Sequence, residues 1–206
     1  MITFSNSKLG KTIGVFNIPA GITCPGKTAA CSSCYAEKTE RIYPNARVAY
    51  ARNLDAVMGG SDWTDSVIAQ IKKKNVKTVR IHANGDFFSS EYILDWHLIA
   101  SDCPQTVFFA FTRSWSVPGL LPALDALKAL PNVRILASVD YTSDGTSPKG
   151  WRIARMLTKD TTKTVKRTLK VSSGIVCPEQ AKKVKTCGDC KLCYGSSSFD
   201  INFLLH

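Results

Sequence analysis

The sequence predicts an α/β fold, a small or incomplete parallel β/α barrel with a cysteine-rich C-terminal extension, and three observations lead there. Short apolar, β-branched runs alternate with amphipathic stretches of helical period, which implies parallel strands joined by right-handed crossovers with both sheet faces covered. Polar residues collect where the apolar runs end. The chain has 206 residues, enough for one sizeable core but short of the roughly 250 of a complete eightfold barrel. An open doubly wound sheet satisfies the same alternation. Residues 1–150 are expected to form the barrel-like core with an N-terminal cysteine loop. Residues 151–206 are expected to form a basic, cysteine-rich extension packed on the same domain.

The elements follow in order. "KTIGVFNIPA" (11–20) is a short apolar run closing on Pro19 and Gly21, a first strand. A turn-rich cysteine stretch follows, then a helix. "PNARVAYARNLDAVM" (44–58) places Val48, Ala51, Leu54, Ala56 and Val57 largely on one face. "DWTDSVIAQIKKK" repeats that pattern after Gly59 and Gly60, with Ser61 or Asp62 as the cap. In "VKTVRIHANGDFF" (76–88) the run Val76, Val79, Ile81 is a second strand ending in a glycine turn. "SSEYILDWHLIASD" (89–102) opens on a serine cap with Glu91 in its first turn. "TVFFAFT" (106–112) and "NVRILASVD" (132–140) are further strands, with a helix over 117–130 between them. After the polar loop 140–150, "RIARML" and "TKTVKRTLKV" are expected to add one helix or strand and one more strand.

Composition narrows the setting. At 44% hydrophobic residues the chain reads as globular. No apolar run approaches the roughly 20 residues that span a bilayer, and "MITFSNSKLGK" lacks a signal-peptide core, so a cytosolic location is expected. Net charge is +11, and residues 149–193 hold twelve Lys or Arg against three Asp or Glu, about +9, leaving about +2 elsewhere. Such a segment attracts phosphate backbones through counterion release, which makes nucleic acid the expected partner through 149–191, Lys182, Lys183 and Lys185 above all. The plainer alternative is a solvated face that aids solubility.

The chain carries eight cysteines, at 24, 31, 34, 103, 177, 187, 190 and 193. Cytosolic thiols stay reduced, and dense clusters of them bind metal more often than they form disulfides. Thiolates suit zinc or iron–sulfur clusters. Cys24, Cys31 and Cys34 supply three thiolates from one loop, an odd number for a tetrahedral zinc site. Three thiolates can hold three irons of a 4Fe-4S cube and leave the fourth free for an outside ligand. Cys177, Cys187, Cys190 and Cys193 make a complete set, and the "CGDCKLC" portion resembles a ferredoxin-type run of two-residue gaps. Four thiolates equally suffice for a structural zinc. The groups partition either as three and four, or with one C-terminal cysteine crossing over to close the first site. Either way, ligation would anchor a tail with little apolar periodicity of its own.

A three-cysteine loop after the first strand of a β/α barrel resembles the radical S-adenosylmethionine superfamily. There the usual spacing is three and then two with an aromatic beside the last cysteine. Here "CPGKTAACSSCY" has six and two, with Tyr35 following Cys34. A closer resemblance, on "GITCPGKTAACSSCYA", "RIHANGDFFS", "FTR" and "LASVD", is to the phage gene product 88 family, over about the first two thirds of the chain by motif order. The first resemblance implies a cluster with an open iron and S-adenosylmethionine as cofactor. The second implies a phage origin and a bacterial cytosol.

In β/α folds the ligand site gathers at the C-terminal ends of the strands. Candidates there are His82, Asn84, Gly85 and Asp86 after the second strand, Thr112 and Arg113 after the third, and Ser138 and Asp140 after the fourth. Gly85 permits close backbone approach to a ligand, and Asp86 can accept ribose hydroxyls or an amine. Each has a plainer reading: His82 as a hydrogen-bonded strand-end residue, Asp86 as a turn cap, Arg113 as its ion-pair partner. His97, Trp96 and Trp115 read as packing residues, Cys103 as structural, and His206 as uninformative. Three readings follow: a radical adenosylmethionine-like enzyme acting on a nucleic-acid or phosphate-bearing substrate is the first, and a non-enzymatic iron–sulfur redox or nucleic-acid-binding module is the second. A zinc-stabilised phage accessory protein is the third.

Overall fold

Alternating apolar strands and amphipathic helices do build a parallel sheet. The computed structural model describes residues 1–4, 6–60, 62–143, 146–168 and 171–205, with 166–168 described by backbone alone. The strands are β1 (Ile13–Phe16), β2 (Thr78–Ile81), β3 (Val107–Thr112), β4 (Val133–Val139), β5 (Arg152–Met156), β6 (Ile175–Val176) and β7 (Ile201–Phe203). The helices are α1 (Tyr35–Ile42), α2 (Pro44–Met58), α3 (Trp63–Lys74), α4 (Ser90–Asp102), α5 (Leu121–Ala129), α6 (Lys159–Thr168) and the single turn α7 (Cys187–Cys190). The strands form one seven-stranded sheet in the order β1-β2-β3-β4-β5-β7-β6, every pairing parallel. The first five are neighbours in chain order. The described residues show no pairing that closes it. The outer edge of β1 instead takes an antiparallel bridge from Thr3 to Val15.

Strand periodicity assigns two faces. Phe16, Ile81, Ala110 and Ile135 share one register row and pack against Val67 and Ile71 of α3, Ile93, Trp96 and Ile99 of α4, and Leu124 and Leu127 of α5. The next row of alternating positions, Val15, Arg80 and Phe109, faces the other way. There Ile13, Val15 and Phe109 meet Leu9, Cys187, Cys193 and Tyr194, while Leu136, Ala154 and Ile201 meet Cys177, Leu192 and Cys193. The C-terminal cysteine segment therefore covers the sheet face that the helices leave open.

The local signals act as expected at several termini. Ser89 accepts the Tyr92 amide at 3.2 Å and opens α4 with Glu91 in its first turn. Asp62 stands at the start of α3 without a side-chain cap bond, and Ser61 lies outside the described residues, as does His206. "RIARML" is β5, but "TKTVKRTLKV" is chiefly helix, not the strand expected. Thr162 and Val165 are buried at a three-residue spacing while Lys159, Asp160, Thr161 and Lys163 face solvent, a helical rather than a two-residue period. The extension after residue 150 thus contributes β5, α6, β6 and β7 to the same sheet. Trp96 and Cys103 are buried in the helix-side core, and Trp115 packs against it.

Candidate functional site

Parallel strands deliver the C-terminal ends of β1 to β4 to one edge of the sheet, and the first cysteine loop lies there. It is a chain of tight turns. The amides of Cys24, Cys31 and Cys34 donate to the carbonyls of Gly21, Thr28 and Cys31, the middle of the loop winds into a short 3-10 turn (Ala29–Ser33), and Cys34 stands at the start of α1. The Ala20 amide donates to Glu40 Oε1 at 2.7 Å, tying the loop entrance to α1. At Gly26 the loop presses on the end of β3 so closely that a Cβ would overlap the Arg113 carbonyl.

A polar network joins this loop to three strand ends. Buried Asp86 accepts the Phe87 amide at 2.8 Å and the Thr112 hydroxyl at 2.6 Å on Oδ1, and the Arg113 amide at 2.9 Å on Oδ2. The Arg113 guanidinium splits between two partners: Nη2 lies 2.8 Å from Asp140 Oδ2 and Nη1 donates to Cys31 Sγ at 3.3 Å. Thr28 closes the ring, donating to Asp140 Oδ2 at 2.6 Å and lying 3.8 Å from Cys31 Sγ. Burial works against the Asp140 carboxylate, but hydrogen bonds from Thr142 and Thr28 and the Arg113 charge hold its pKa below the usual value. At Asp86 burial dominates its hydrogen bonds and pushes the pKa up.

Beside the network opens a cavity of about 370 Å³, lined by Gly26, Thr28, Arg113, Trp115, Ser138 and Ser143 among others. Its walls are mainly hydroxyls, one indole and one guanidinium. The Trp115 indole donates to the Ser138 carbonyl at 3.3 Å, which fixes its ring against β4.

The strand-end candidates therefore divide. Arg113, Ser138 and Asp140 gather at the loop and cavity. Asp86 accepts the Thr112 hydroxyl and the Arg113 amide and, among the described residues, pairs with no guanidinium; Arg113 makes its ion pair with Asp140 instead. Asn84 donates to the Ala36 carbonyl and takes the Asn17 side chain on its amide. Gly85, at φ +84°, lies against Ile18 and Thr23. His82 turns into the helix-side core, 2.7 Å from the Tyr92 hydroxyl and against Phe87 and Trp96. Burial, and after it the Arg80 charge, pushes its pKa down to about 3, so the imidazole stays neutral.

The sequence reading missed Asn17, whose Oδ1 accepts the amides of both Ala83 and Asn84, and Thr28. Both carried a signal: Asn17 is a polar residue at the end of the first strand, and Thr28 lies one turn before Cys31.

The second cysteine set lies on the inner face. The amides of Cys187 and Gly188 donate to the carbonyls of Lys8 and Leu9, and Thr186 with Asp189 forms a capping box over α7. Arg152 reaches from β5 to the carbonyls of Leu192, Cys193 and Phe199. Burial pushes the free thiols of Cys187 and Cys193 up to about 11 and 12 and that of Cys24 up to about 11. Each set is also electrostatically coupled within itself. Cys31 and Cys34 act on Cys24, and Cys177, Cys187 and Cys190 act on Cys193. Even so, no group of three or more His, Cys, Asp or Glu among the described residues is arranged to hold a metal ion.

In the basic segment, Arg152 is committed to those carbonyls, while Lys159, Lys163, Lys182, Lys183, Lys185 and Lys191 are exposed. No helix among the described residues is long and apolar enough to cross a membrane.

The family model described as gene product 88 matches residues 1–196. This chain belongs to the gene product 88 family. It is 29% identical over 210 residues to the gene 88 protein of Mycobacterium phage L5, covering 88% of this chain and 84% of the relative. It is 31% identical over 146 residues to the gene 88 protein of Mycobacterium phage D29, covering 63% of this chain and 59% of the relative. No solved structure matches the chain. Membership of the gene product 88 family thus extends past the N-terminal motifs to take in all seven clustered cysteines.

Proposed function

We propose that this gene product 88 protein is a phage-encoded iron–sulfur protein with two centres. Cys24, Cys31 and Cys34 would hold a 4Fe-4S cluster with one open iron at the mouth of the sheet. Cys177, Cys187, Cys190 and Cys193 would hold a second, closed cluster against its inner face. The observation that carries this reading is the separation of the seven thiols into a set of three on the loop beside the cavity and a set of four in the C-terminal segment packed on the sheet's inner face, Cys177 buried and Cys187, Cys190 and Cys193 half-buried.

Four thiolates at Cys177, Cys187, Cys190 and Cys193 suffice equally for a structural zinc, and the metal content of the purified protein decides between the two at that site.

When bound, a cube held by Cys24, Cys31 and Cys34 would offer an open iron to an outside ligand such as S-adenosylmethionine, and with it the electron that such chemistry needs. The protein's own contribution would be placement: Arg113 and Asp140 fix the wall next to Cys31, and Trp115 and Ser138 shape the cavity that receives the ligand. The enzymatic version of the reading is tested by adding S-adenosylmethionine to the anaerobically reduced protein. A changed cluster electron paramagnetic resonance signal supports it. An unchanged signal leaves the iron–sulfur redox or nucleic-acid-binding module.

The exposed Lys182, Lys183 and Lys185 support a nucleic-acid partner. Binding to single- and double-stranded DNA and RNA should then weaken steeply with salt and drop when the three lysines are neutralised.

A further inference from the structure

We infer that Arg113 is a positioning residue of the N-terminal cysteine loop, donating an N–H···S bond to Cys31 that biases a cluster held there toward its reduced state. The inference rests on the iron–sulfur reading above and goes beyond it by assigning the tuning group.

The geometry is specific to one ligand. Arg113 Nη1 lies 3.3 Å from Cys31 Sγ. Among the described residues, neither Cys24 nor Cys34 receives a side-chain N–H. The donor is also held in place by the protein's own groups. The Arg113 amide is fixed on Asp86 Oδ2, and its carbonyl accepts from the Ser116 amide at 3.0 Å and the Ser116 hydroxyl at 2.8 Å. Asp140 holds the far side of the guanidinium through Nη2, and Asp140 is itself held by Thr28 and by both the amide and the hydroxyl of Thr142. A planar fork pinned on a carboxylate keeps its second edge aimed at the sulfur with little further ordering. A positive donor on a ligating sulfur stabilises the added electron, so hydrogen bonds and charge beside the thiolates raise a cluster's potential.

Arg113→Met removes every donor while keeping the apolar stem, and leaves Asp140 satisfied by Thr28 and Thr142. In the anaerobically purified full chain, its cluster midpoint potential should fall by about 59 mV, a tenfold change in a one-electron equilibrium. Arg113→Lys should fall between it and wild type. A cluster of unchanged iron content and unchanged potential in Arg113→Met overturns the inference while leaving the iron–sulfur reading standing. Wild-type protein without iron overturns the reading itself.

Should Arg113→Met fail to take up iron, wild type grown on ¹⁵N-arginine decides. A nitrogen hyperfine coupling to the reduced cluster that is lost in Arg113→Lys supports the inference, and no such difference overturns it.

Discussion

Asp86 accepts the backbone amide of Arg113 at 2.9 Å, so a buried carboxylate at the end of β2 sets where the β3 strand end lies. Its other oxygen takes the Thr112 hydroxyl and the Phe87 amide. Arg113 is thereby placed for Asp140 and Cys31. Asp86→Ala strands three donors in a buried site, each costing about 1–3 kcal/mol if left unpaired. Urea unfolding should show a loss of about 2–4 kcal/mol after partial relaxation. A loss under about 0.5 kcal/mol would mean that Asp86 is not the brace.

His82 predicts an acid sensitivity of the fold. Its folded pKa of about 3 lies far below the unfolded value of about 6.5. Between those values the unfolded chain binds a proton at this residue that the native state refuses. Stability therefore falls as pH drops from about 6.5 toward 3, by about 1.4 kcal/mol per unit from this group. His82→Asn, which tolerates the left-handed backbone at φ 62°, should lack that part of the slope. Identical pH slopes for both proteins in chemical denaturation would contradict the assignment.

Two glycines separate a required close approach from an incidental one. Gly85 sits at φ +84° and a Cβ there would lie 2.8 Å from the Ile18 carbonyl, whereas Gly119 has nothing within 4 Å. Gly85→Ala should cost about 2–3 kcal/mol and Gly119→Ala less than about 0.5 kcal/mol. Thermal melts of the pair check this.

Arg152 should act as the clamp of the C-terminal cysteine segment. It donates to the Leu192, Cys193 and Phe199 carbonyls, the last at 2.7 Å. Arg152→Ala loses charged hydrogen bonds worth about 1.5–3 kcal/mol each at most. Amide exchange across 187–200 should accelerate well beyond that in α3 or α4, and uniform acceleration would show that the clamp is not local.

Much of this architecture is legible in the sequence because apolar periodicity reports burial directly. β1 to β4 and α2 to α5 follow from runs such as "TVFFAFT" and from the Ser89 cap. Barrel closure was not legible, because it depends on whether strands far apart in the chain pair, and no local pattern encodes that. Nor was the path of the C-terminal tail: its cysteines serve as apolar packing for Phe109, Leu136 and Ile201, a role that cysteine spacing does not announce. Strand-end polarity located Arg113, Ser138 and Asp140 but gave no way to tell them from His82 and Asn84. A strand end places a residue at the mouth without fixing the direction of its side chain. His82 turns inward because Tyr92, one helix further on, offers it a hydroxyl.

The central claim is tested most directly by counting iron and acid-labile sulfide in protein purified without oxygen. Two 4Fe-4S centres predict brown protein with about eight irons and eight sulfides per chain, falling to about four of each in Cys24→Ala/Cys31→Ala/Cys34→Ala. Colourless protein containing zinc, or containing no metal, would contradict it.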